Sequence, residues 1–257
     1  MKFKKIFNLL FALILLSYSK PICAQVTAAK AKGSSAGQVL NLQDWKLTLP
    51  VNTEHNGDPD EIKQPELSTY SDEQYFFVNK KKDAVTFRAN VGGETTKGSN
   101  FARSELREMA GSEKAVWSSS KGKHTLFIDQ RVTHLPDVRK HMVIGQIHDA
   151  TKYVIFFRLE DTKLLVSVNG GQRVVLDPDY ILGKRFTVKF VVENNETQCF
   201  YNDELKYTYS GNFSDAYFKA GAYVQSSCKG KKKVEGESCD AYGEVEIYDL
   251  WVKHESI

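Results

Sequence analysis

Several features that mark common enzyme and membrane classes are missing from this chain. It has no Cys-x-x-Cys pair and no glycine-rich phosphate-binding loop, so thiol redox and nucleotide-binding chemistry have no support. Beyond residue 16 it has no apolar run long enough to span a bilayer. No segment keeps a 3.6-residue apolar period over three turns, and no internal repeat or low-complexity linker is present. We therefore expect one soluble domain of about 220 residues, a common size for all-β domains.

The one long apolar run stands at the N-terminus and predicts a secretory signal peptide over residues 1–24. The opening residues are basic, residues 6–16 are apolar apart from Asn8, and a polar segment ends in the small residue Ala24. We expect cleavage after Ala24 and export of the mature chain to the periplasm or the extracellular medium. Lipid anchoring at Cys23 is the alternative, although the preceding Lys-Pro-Ile is a poor lipidation context.

The mature chain has almost no net charge. The full sequence has 35 basic and 32 acidic residues, but residues 1–24 contain four lysines and no acid, which leaves 31 basic against 32 acidic residues. Whole-protein attraction to nucleic acid is therefore not indicated, and any attraction for an anion must be local. Residues 25–38 are small and polar and predict a flexible leader before a single domain over residues 39–257. We expect a monomer without membrane or nucleic-acid partners after signal removal.

Three cysteines remain after signal removal. Cys228 and Cys239 flank a polar stretch rich in lysine and glycine, which is typical of a loop closed at its base by a disulfide in an exported protein. Cys199 stands in a strand-like run, where we expect a buried free thiol. Three reduced, buried cysteines are the alternative.

Short strands separated by polar turns dominate the rest of the sequence. In one of them Phe186, Val188 and Phe190 alternate with polar residues, and Asn-Gly-Gly at residues 169–171 predicts a hairpin turn. The predicted strands cover residues 125–133, 143–148, 154–159, 164–168, 172–176, 186–192, 197–201, 205–209 and 244–252. This pattern predicts an all-β fold, a jelly-roll β-sandwich of two antiparallel sheets with a concave substrate cleft.

Three distant segments would line that cleft. They are Arg-Ser-Glu-Leu-Arg at residues 103–107, Gln-Ile-His at 146–148, and Tyr-Phe-Lys-Ala-Gly-Ala-Tyr-Val-Gln at 217–225. In a strand, side chains two residues apart share a face. One face is then apolar, and the other carries Arg103, Glu105, Arg107, Gln146, His148, Tyr217, Lys219, Tyr223 and Gln225. Such a face suits a groove for an anionic polymer.

The same polar face contains the groups needed to break a polyuronate by β-elimination. That reaction removes the C5 proton beside a carboxylate, so the carboxylate must first be neutralised. Arg103 can hold it through two parallel hydrogen bonds, and Gln146 can donate an amide hydrogen to it. His148 titrates near neutrality and can act as base. Tyr223 can protonate the leaving oxygen, or accept the C5 proton where a cation favours its phenolate.

The remaining polar residues of these segments have supporting roles in this hypothesis. Lys219 would favour the phenolate of Tyr223 and hold a neighbouring sugar carboxylate. Arg107, Tyr217 and Gln225 would extend the binding surface. Glu105 stands between two arginines in the sequence, so we expect it to orient both of them.

These segments resemble the signature segments of the alginate lyases of polysaccharide lyase family 7, which read Arg-(Ser/Thr)-Glu-Leu, Gln-(Ile/Val)-His and Tyr-Phe-Lys-Ala-Gly-x-Tyr-x-Gln. The resemblance begins near Leu40, where residues 45–50 resemble the family's opening, and ends at residues 248–252. It implies a jelly roll, alginate as substrate, no cofactor or metal, and Arg103, Gln146, His148 and Tyr223 as catalytic residues.

Two positions of the motifs qualify the resemblance. Val224 stands where the family usually has Asn, on the face that we expect to point away from the cleft. Ile147 gives the Gln-Ile-His form, which the family associates with guluronate. The resemblance therefore implies a preference for guluronate-containing or mixed blocks.

Each motif alone also has an ordinary structural explanation. Arg103, Glu105 and Arg107 fit a solvated strand face with paired charges, and the tyrosines fit half-buried packing residues. The lysines of residues 229–233 fit either a basic lip that attracts alginate or a solvated loop.

Two other functions remain open at this point. A glycoside hydrolase on a similar sandwich needs two carboxylates across the sugar bond, whereas we expect only Glu105 in the cleft. A non-catalytic carbohydrate-binding module explains the tyrosines and cations but has no need of His148 beside Gln146 and Tyr223.

Overall fold

A computed structural model describes residues 33–256. The predicted signal peptide and residues 25–32 of the predicted leader lie outside the described residues. The helix α1 spans Ala36–Val39, and the Gln38 side chain accepts a hydrogen bond from the backbone N–H of Ser35 at 3.2 Å. Ala36 and Val39 are buried in the core. The predicted boundary between leader and domain therefore falls within α1, and the described end of the leader packs on the domain.

The described residues form mainly strands. Two short 3₁₀ helices lie at Glu66–Ser68 and Gly230–Lys232, and no described helix is long and apolar enough to cross a membrane. The strands are β1 (Trp45–Thr48), β2 (Glu61–Ile62), β3 (Phe76–Val78), β4 (Val85–Asn90), β5 (Arg103–Ala110), β6 (Glu113–Lys114), β7 (Lys123–His134), β8 (His141–His148), β9 (Tyr153–Glu160), β10 (Lys163–Val168), β11 (Arg173–Asp177), β12 (Phe186–Glu193), β13 (Glu196–Tyr201), β14 (Glu204–Ser210), β15 (Tyr217–Val224) and β16 (Tyr242–Glu255).

These strands form two antiparallel sheets. The front sheet has the order β11-β10-β9-β8-β15-β5-β1-β2, with β6 paired to β5, and the back sheet has the order β14-β13-β12-β7-β16-β4-β3. The nine predicted strands match strands of these sheets, apart from Gln172, which precedes β11 by one residue. The predicted all-β jelly-roll sandwich is thus confirmed.

The core lies between the apolar faces of the two sheets. In β12, Phe186, Val188 and Phe190 are buried while the residues between them are half-exposed. Phe157 of the front sheet stacks on Phe190 of the back sheet, with ring centroids 4.2 Å apart. Full burial of one large apolar side chain contributes about 1.5–3 kcal/mol. The predicted apolar face is fully buried in the structure, and its residues are Leu106, Ile147, Phe218, Ala220, Ala222 and Val224.

The cysteines have the expected states. Cys228 and Cys239 form a disulfide with a Cα–Cα distance of 5.2 Å, which closes a loop on the C-terminal side of β15. Cys199 is a buried free thiol, and burial raises its pKa. A disulfide such as the one between Cys228 and Cys239 restricts the unfolded chain and typically stabilises the fold by about 2–4 kcal/mol.

Candidate active site

The three motif segments are neighbouring strands of the front sheet. They form β5, β8 and β15, and β15 lies between the other two. Lys219 pairs with Arg107 on one side and with Gln146 on the other, while Tyr217 pairs with His148. Paired residues of adjacent strands present their side chains on the same face. Three segments that are distant from one another in the sequence therefore form one polar surface.

Gly221 adjusts the position of Tyr223 within this surface. β15 bulges against β8 between Ala220 and Tyr223. Gly221 has a φ of 136°, and a Cβ atom at this position would lie 2.5 Å from the carbonyl oxygen of Ser104. Only glycine tolerates this conformation and this approach. Beyond the bulge, Tyr223 pairs with Arg103 of β5.

A cleft of about 1150 Å³ lies over these strands. Among the predicted site residues its lining includes Arg103, Arg107, His148, Tyr217, Lys219 and Tyr223. Glu105 and Gln146 are buried beneath it. Gln225 does not line the cleft; it follows β15, and its backbone N–H donates to the carbonyl oxygen of His141 at 2.9 Å.

Glu105 connects the cationic groups below the cleft. Its carboxylate accepts hydrogen bonds from Gln146 Nε2 at 2.6 Å and from Arg103 at 3.1 Å, and it also contacts Lys219 Nζ. Burial opposes its ionisation, but Lys219 and Arg103 hold the pKa of Glu105 below its ordinary value. The buried group therefore contains two cations and one carboxylate, which leaves one positive charge facing the cleft.

The predicted role of Glu105 is only partly met. It contacts Arg103, but its second cation is Lys219 and not Arg107. The Arg107 guanidinium lies 3.8 Å over the Tyr217 ring and donates to the carbonyl oxygen of Glu108. Side chains at positions 105 and 107 share a face, but their contacts depend on the residues that neighbouring strands supply.

Lys219 is a buried cation with a shifted pKa. Burial lowers the pKa of Lys219 to about 8, the positive charge of Arg103 acts in the same direction, and Glu105 opposes both. Lys219 is therefore mostly charged at neutral pH and loses its charge in mildly alkaline solution. A cation held in this way can neutralise a substrate carboxylate without further reorganisation.

Arg103 and Tyr223 form the next part of the site. The Arg103 guanidinium lies 3.9 Å over the Tyr223 ring. The Nε of Arg103 is buried and has no hydrogen-bond partner among the described residues. Arg103 thus keeps one buried donor without a partner, and its charge lies against the Tyr223 ring.

The hydroxyl of Tyr223 contacts Ser99, a residue that the sequence did not indicate. Ser99 Oγ lies 3.1 Å from the Tyr223 oxygen and 3.0 Å from the carbonyl oxygen of Phe101. The Phe101 N–H donates to the same Oγ, and the Phe101 ring approaches Tyr223 edge-on. Ser99 lies in the loop between β4 and β5, and a loop residue has no periodic pattern from which its position can be predicted.

The contacts of His148 determine which ring nitrogen carries its proton. Nδ1 lies 2.6 Å from the carbonyl oxygen of Asp149 and 3.1 Å from the Tyr217 hydroxyl. A carbonyl only accepts, so neutral His148 carries its proton on Nδ1 and keeps a lone pair on Nε2. Burial, together with the charge of Lys219, lowers the pKa of His148. At neutral pH the imidazole is therefore uncharged and can act as a base through Nε2.

The strand β1 adds a further cation to the cleft. Lys46 pairs in register with Arg107, lines the cleft and contacts the carboxylate of Glu61. Burial lowers the pKa of Lys46. The alternation of Trp45, Lys46, Leu47 and Thr48 is a signal that could have placed Lys46 on the polar face.

The expectation of a single carboxylate in the cleft is wrong. Glu105 lies beneath the lining, and other acids from the β1–β2 region and the segment after it do line the cleft, namely Glu54, Asp58, Asp60, Glu61, Glu66 and Asp72. Several of them have local partners. Asp60 accepts hydrogen bonds from Thr53, and Asp72 accepts them from the backbone of residues 74–75. Within residues 33–256, no three His, Cys, Asp or Glu side chains lie close enough together to hold a metal ion.

The chain is similar in sequence to known alginate lyases. The model of a family described as alginate lyase matches residues 40–254. An alginate lyase from Klebsiella pneumoniae is 30% identical over 89 residues, which cover 34% of this chain and 29% of that protein. The chain thus matches less than a third of the length of this curated relative.

Solved structures give a more complete match. The alginate lyase AlgAT5, of polysaccharide lyase family 7, is 49% identical with a TM-score of 0.81, and the match covers 87% of this chain and 100% of the other. The alginate lyase from Corynebacterium sp. is 42% identical with a TM-score of 0.81, covering 88% of this chain and 100% of the other.

Proposed function

Because this chain belongs to the alginate lyase family, a family of enzymes, we propose that it cleaves the 4-O-glycosidic bonds of alginate by β-elimination and releases unsaturated oligosaccharides. One observation carries the proposal. A single cleft is lined by a guanidinium, a buried lysine, an imidazole with a free Nε2 and a phenol, from Arg103, Lys219, His148 and Tyr223. These groups perform the successive steps of the reaction.

The first step is neutralisation of the substrate carboxylate. Removing the C5 proton places negative charge on the carboxyl group, which an ionised carboxylate resists. Arg103 and Lys219 both line the cleft and supply two positive charges. The amide of Gln146, buried beneath the cleft, has two hydrogens, of which Glu105 occupies one, and we propose that the other donates to the substrate carboxylate. Fixed charges in a partly buried site stabilise the developing anion more strongly than water does.

Proton transfer and bond cleavage follow. A base removes the C5 proton, the electron pair forms the C4–C5 double bond, and the C4–O bond breaks. His148 Nε2 is the base for the C5 proton on its side of the ring, and the Tyr223 hydroxyl protonates the leaving oxygen. The products are one new unsaturated end and one new reducing end. Proton exchange with solvent returns His148 to its neutral form and Tyr223 to its phenol, so atoms and charge balance.

We further propose a preference for guluronate-containing or mixed blocks. The two uronates are epimers at C5, so their C5 protons lie on opposite faces of the ring. For guluronate, His148 acts as the base and Tyr223 as the acid. For mannuronate, Tyr223 alone can serve both proton transfers. Ile147 is fully buried on the opposite face of β8, so its side chain does not contact the substrate. Its association with guluronate is therefore indirect.

We also propose that the chain is exported through its predicted signal peptide, to the periplasm or beyond, and acts as a monomer. The disulfide between Cys228 and Cys239 supports this location because disulfides persist in oxidising compartments.

An ultraviolet time course on purified polyguluronate and polymannuronate tests the proposed reaction. Elimination creates an absorbing unsaturated end with each cleavage, so absorbance should rise in step with reducing ends. Reducing ends without absorbance would indicate a glycoside hydrolase. Alginate binding without either product would indicate a carbohydrate-binding module.

A further inference from the structure

A second group of cations lies on the front sheet outside the cleft lining. It consists of Arg139 before β8, Arg158 on β9 and Arg173 on β11, together with His141 and Glu160, and we call it the guanidinium cluster. None of these five residues lines the cleft over β5, β8 and β15.

Strand pairing places this cluster on the same face as the catalytic groups. Tyr223 pairs with Val143 on β8, and Val143 pairs with Arg158 on β9. Arg158 therefore lies in the row that begins with Arg103 and Tyr223, two strand spacings or roughly 10 Å from Tyr223. A chain of a few sugar residues spans this distance, whereas the reacting sugar does not.

The contacts within the cluster leave an excess of positive charge. Glu160 contacts both Arg158 and Arg173. His141 Nδ1 accepts from Arg158 at 2.6 Å and from Arg139 at 3.4 Å. Burial and the Arg158 charge lower the pKa of His141 to about 4, so it is neutral at neutral pH. Three guanidinium groups thus face one carboxylate.

Two features make the cluster more than a solvated charged surface. Arg158 is mostly buried, and its Nε lies 2.8 Å from Glu160 Oε1 in an orientation that makes no hydrogen bond. Arg173 is half exposed, so its remaining donors face solvent. Arg158 thus holds the arrangement in place, and the exposed donors of Arg173 are suited to bind a carboxylate.

Apolar side chains accompany the cluster on the same face of the front sheet. Val143, Phe156 and Leu165 are buried although they lie outside the core between the two sheets, so they are covered and offer no surface to a ligand. Val175 on β11, which pairs with Leu165, is half exposed. A sugar polymer presents C–H groups as well as carboxylates, and Val175 offers apolar contact beside the positive charge.

Two neighbouring segments extend the surface. Gln225, predicted as a binding residue, contacts His141 through its backbone and so lies between the cleft and the cluster. The disulfide-closed loop with the lysines of residues 229–233 is anchored to the turn that carries Arg139, since Glu237 accepts hydrogen bonds from the backbone N–H groups of residues 137–139. The loop with the lysines of residues 229–233 therefore lies next to the cluster.

We propose that the guanidinium cluster is a subsite that binds a carboxylate of the polyuronate chain a few sugars away from the bond that is cleaved. This inference rests on the proposed function, because it assigns the cluster to the same substrate. Its ligand is the extended polymer, and short oligosaccharides held at the cleft do not reach it.

The test uses Arg173→Gln and the double variant Arg139→Gln/Arg173→Gln, which leave Arg158 paired with Glu160. The control is Arg185→Gln, directly before β12 of the back sheet, because Arg185 is as exposed as Arg173 and also pairs with a carboxylate, Asp129. We expect KM for long polyguluronate to rise by about threefold to fivefold in the cluster variants. The shortest cleavable oligosaccharide should show unchanged kinetics, and the control should behave as the unmodified protein.

A binding measurement without turnover completes the test. In a Tyr223→Phe background, electrophoresis through gels that contain alginate should show less retardation for the cluster variants and unchanged retardation for the control. Equal KM values for polymer in all variants, or equal losses on polymer and on the shortest oligosaccharide, would overturn the subsite. An unmodified protein that cleaves no alginate would overturn the proposed function instead, whatever the gels show.

Discussion

Substitution of Glu105 by Gln tests the electrostatics beneath the cleft most sharply. Glu105 raises the pKa of Lys219, but burial and the Arg103 charge outweigh it, so that the pKa is lowered to about 8. An ion pair at about 4 Å contributes about 4 kcal/mol at an effective dielectric constant near 20. Partial compensation by the Gln side chain reduces that value, and one pKa unit corresponds to about 1.4 kcal/mol. We expect the pKa of Lys219 to fall by about one to three units.

The expected consequence is a change in the pH–rate profile. In the unmodified enzyme Lys219 loses its proton as the pH rises through about 8, so activity should decline on the alkaline side there. In Glu105→Gln this decline should move to lower pH, which leaves little activity at neutral pH. The free energy of unfolding should also fall by about 3 kcal/mol, because a buried cation loses its partner.

The measurement is the initial rate of ultraviolet absorbance across the neutral and alkaline range, with thermal unfolding recorded in parallel. Glu244→Gln is the control, since Glu244 is a partly buried carboxylate paired with Arg88 in the back sheet. It should lose stability without moving the alkaline decline. If the decline in Glu105→Gln coincides with that of the unmodified enzyme, Lys219 does not limit activity and the reasoning is wrong.

Three further substitutions address the proton-transfer groups. Tyr223→Phe should abolish turnover while circular dichroism and alginate binding stay intact, and a near-normal rate would refute its role as acid. His148→Ala should reduce cleavage of polyguluronate more than that of polymannuronate, and equal losses would contradict this division between the two groups. Ser99→Ala should lower kcat by about fivefold to tenfold with little change in KM, because one hydrogen bond that positions the Tyr223 hydroxyl is lost. Ser99→Thr should restore the rate, and a changed KM with normal kcat would count against positioning.

The polar and apolar faces of β5, β8 and β15 could be predicted because strand alternation is local and has a period of two residues. Arg103, His148 and Tyr223 follow from it directly. The adjacency of these strands is not local, and only the family resemblance indicated it. Contacts that cross strands or come from loops were missed for this reason. The second cation that contacts Glu105 is Lys219 and not Arg107, and Ser99 lies in a loop without a periodic pattern.

Gln225 shows where a periodic prediction ends with its strand. The alternation from Tyr217 onward places Gln225 in the cleft, and Tyr223, two residues earlier, does line it. β15 ends at Val224, so Gln225 lies beyond the strand, and its backbone N–H donates to the carbonyl oxygen of His141. The bulge between Ala220 and Tyr223 and the positive φ of Gly221 are likewise not evident from the sequence of β15 alone.

The most direct test of the account is a crystal structure of Tyr223→Phe with a guluronate tetrasaccharide. One sugar carboxylate should contact Arg103 and the Gln146 amide, and the C5 atom of that sugar should lie about 3–3.5 Å from His148 Nε2. A carboxylate bound away from Arg103, or an imidazole with Nε2 turned from the sugar, would contradict the proposed elimination site.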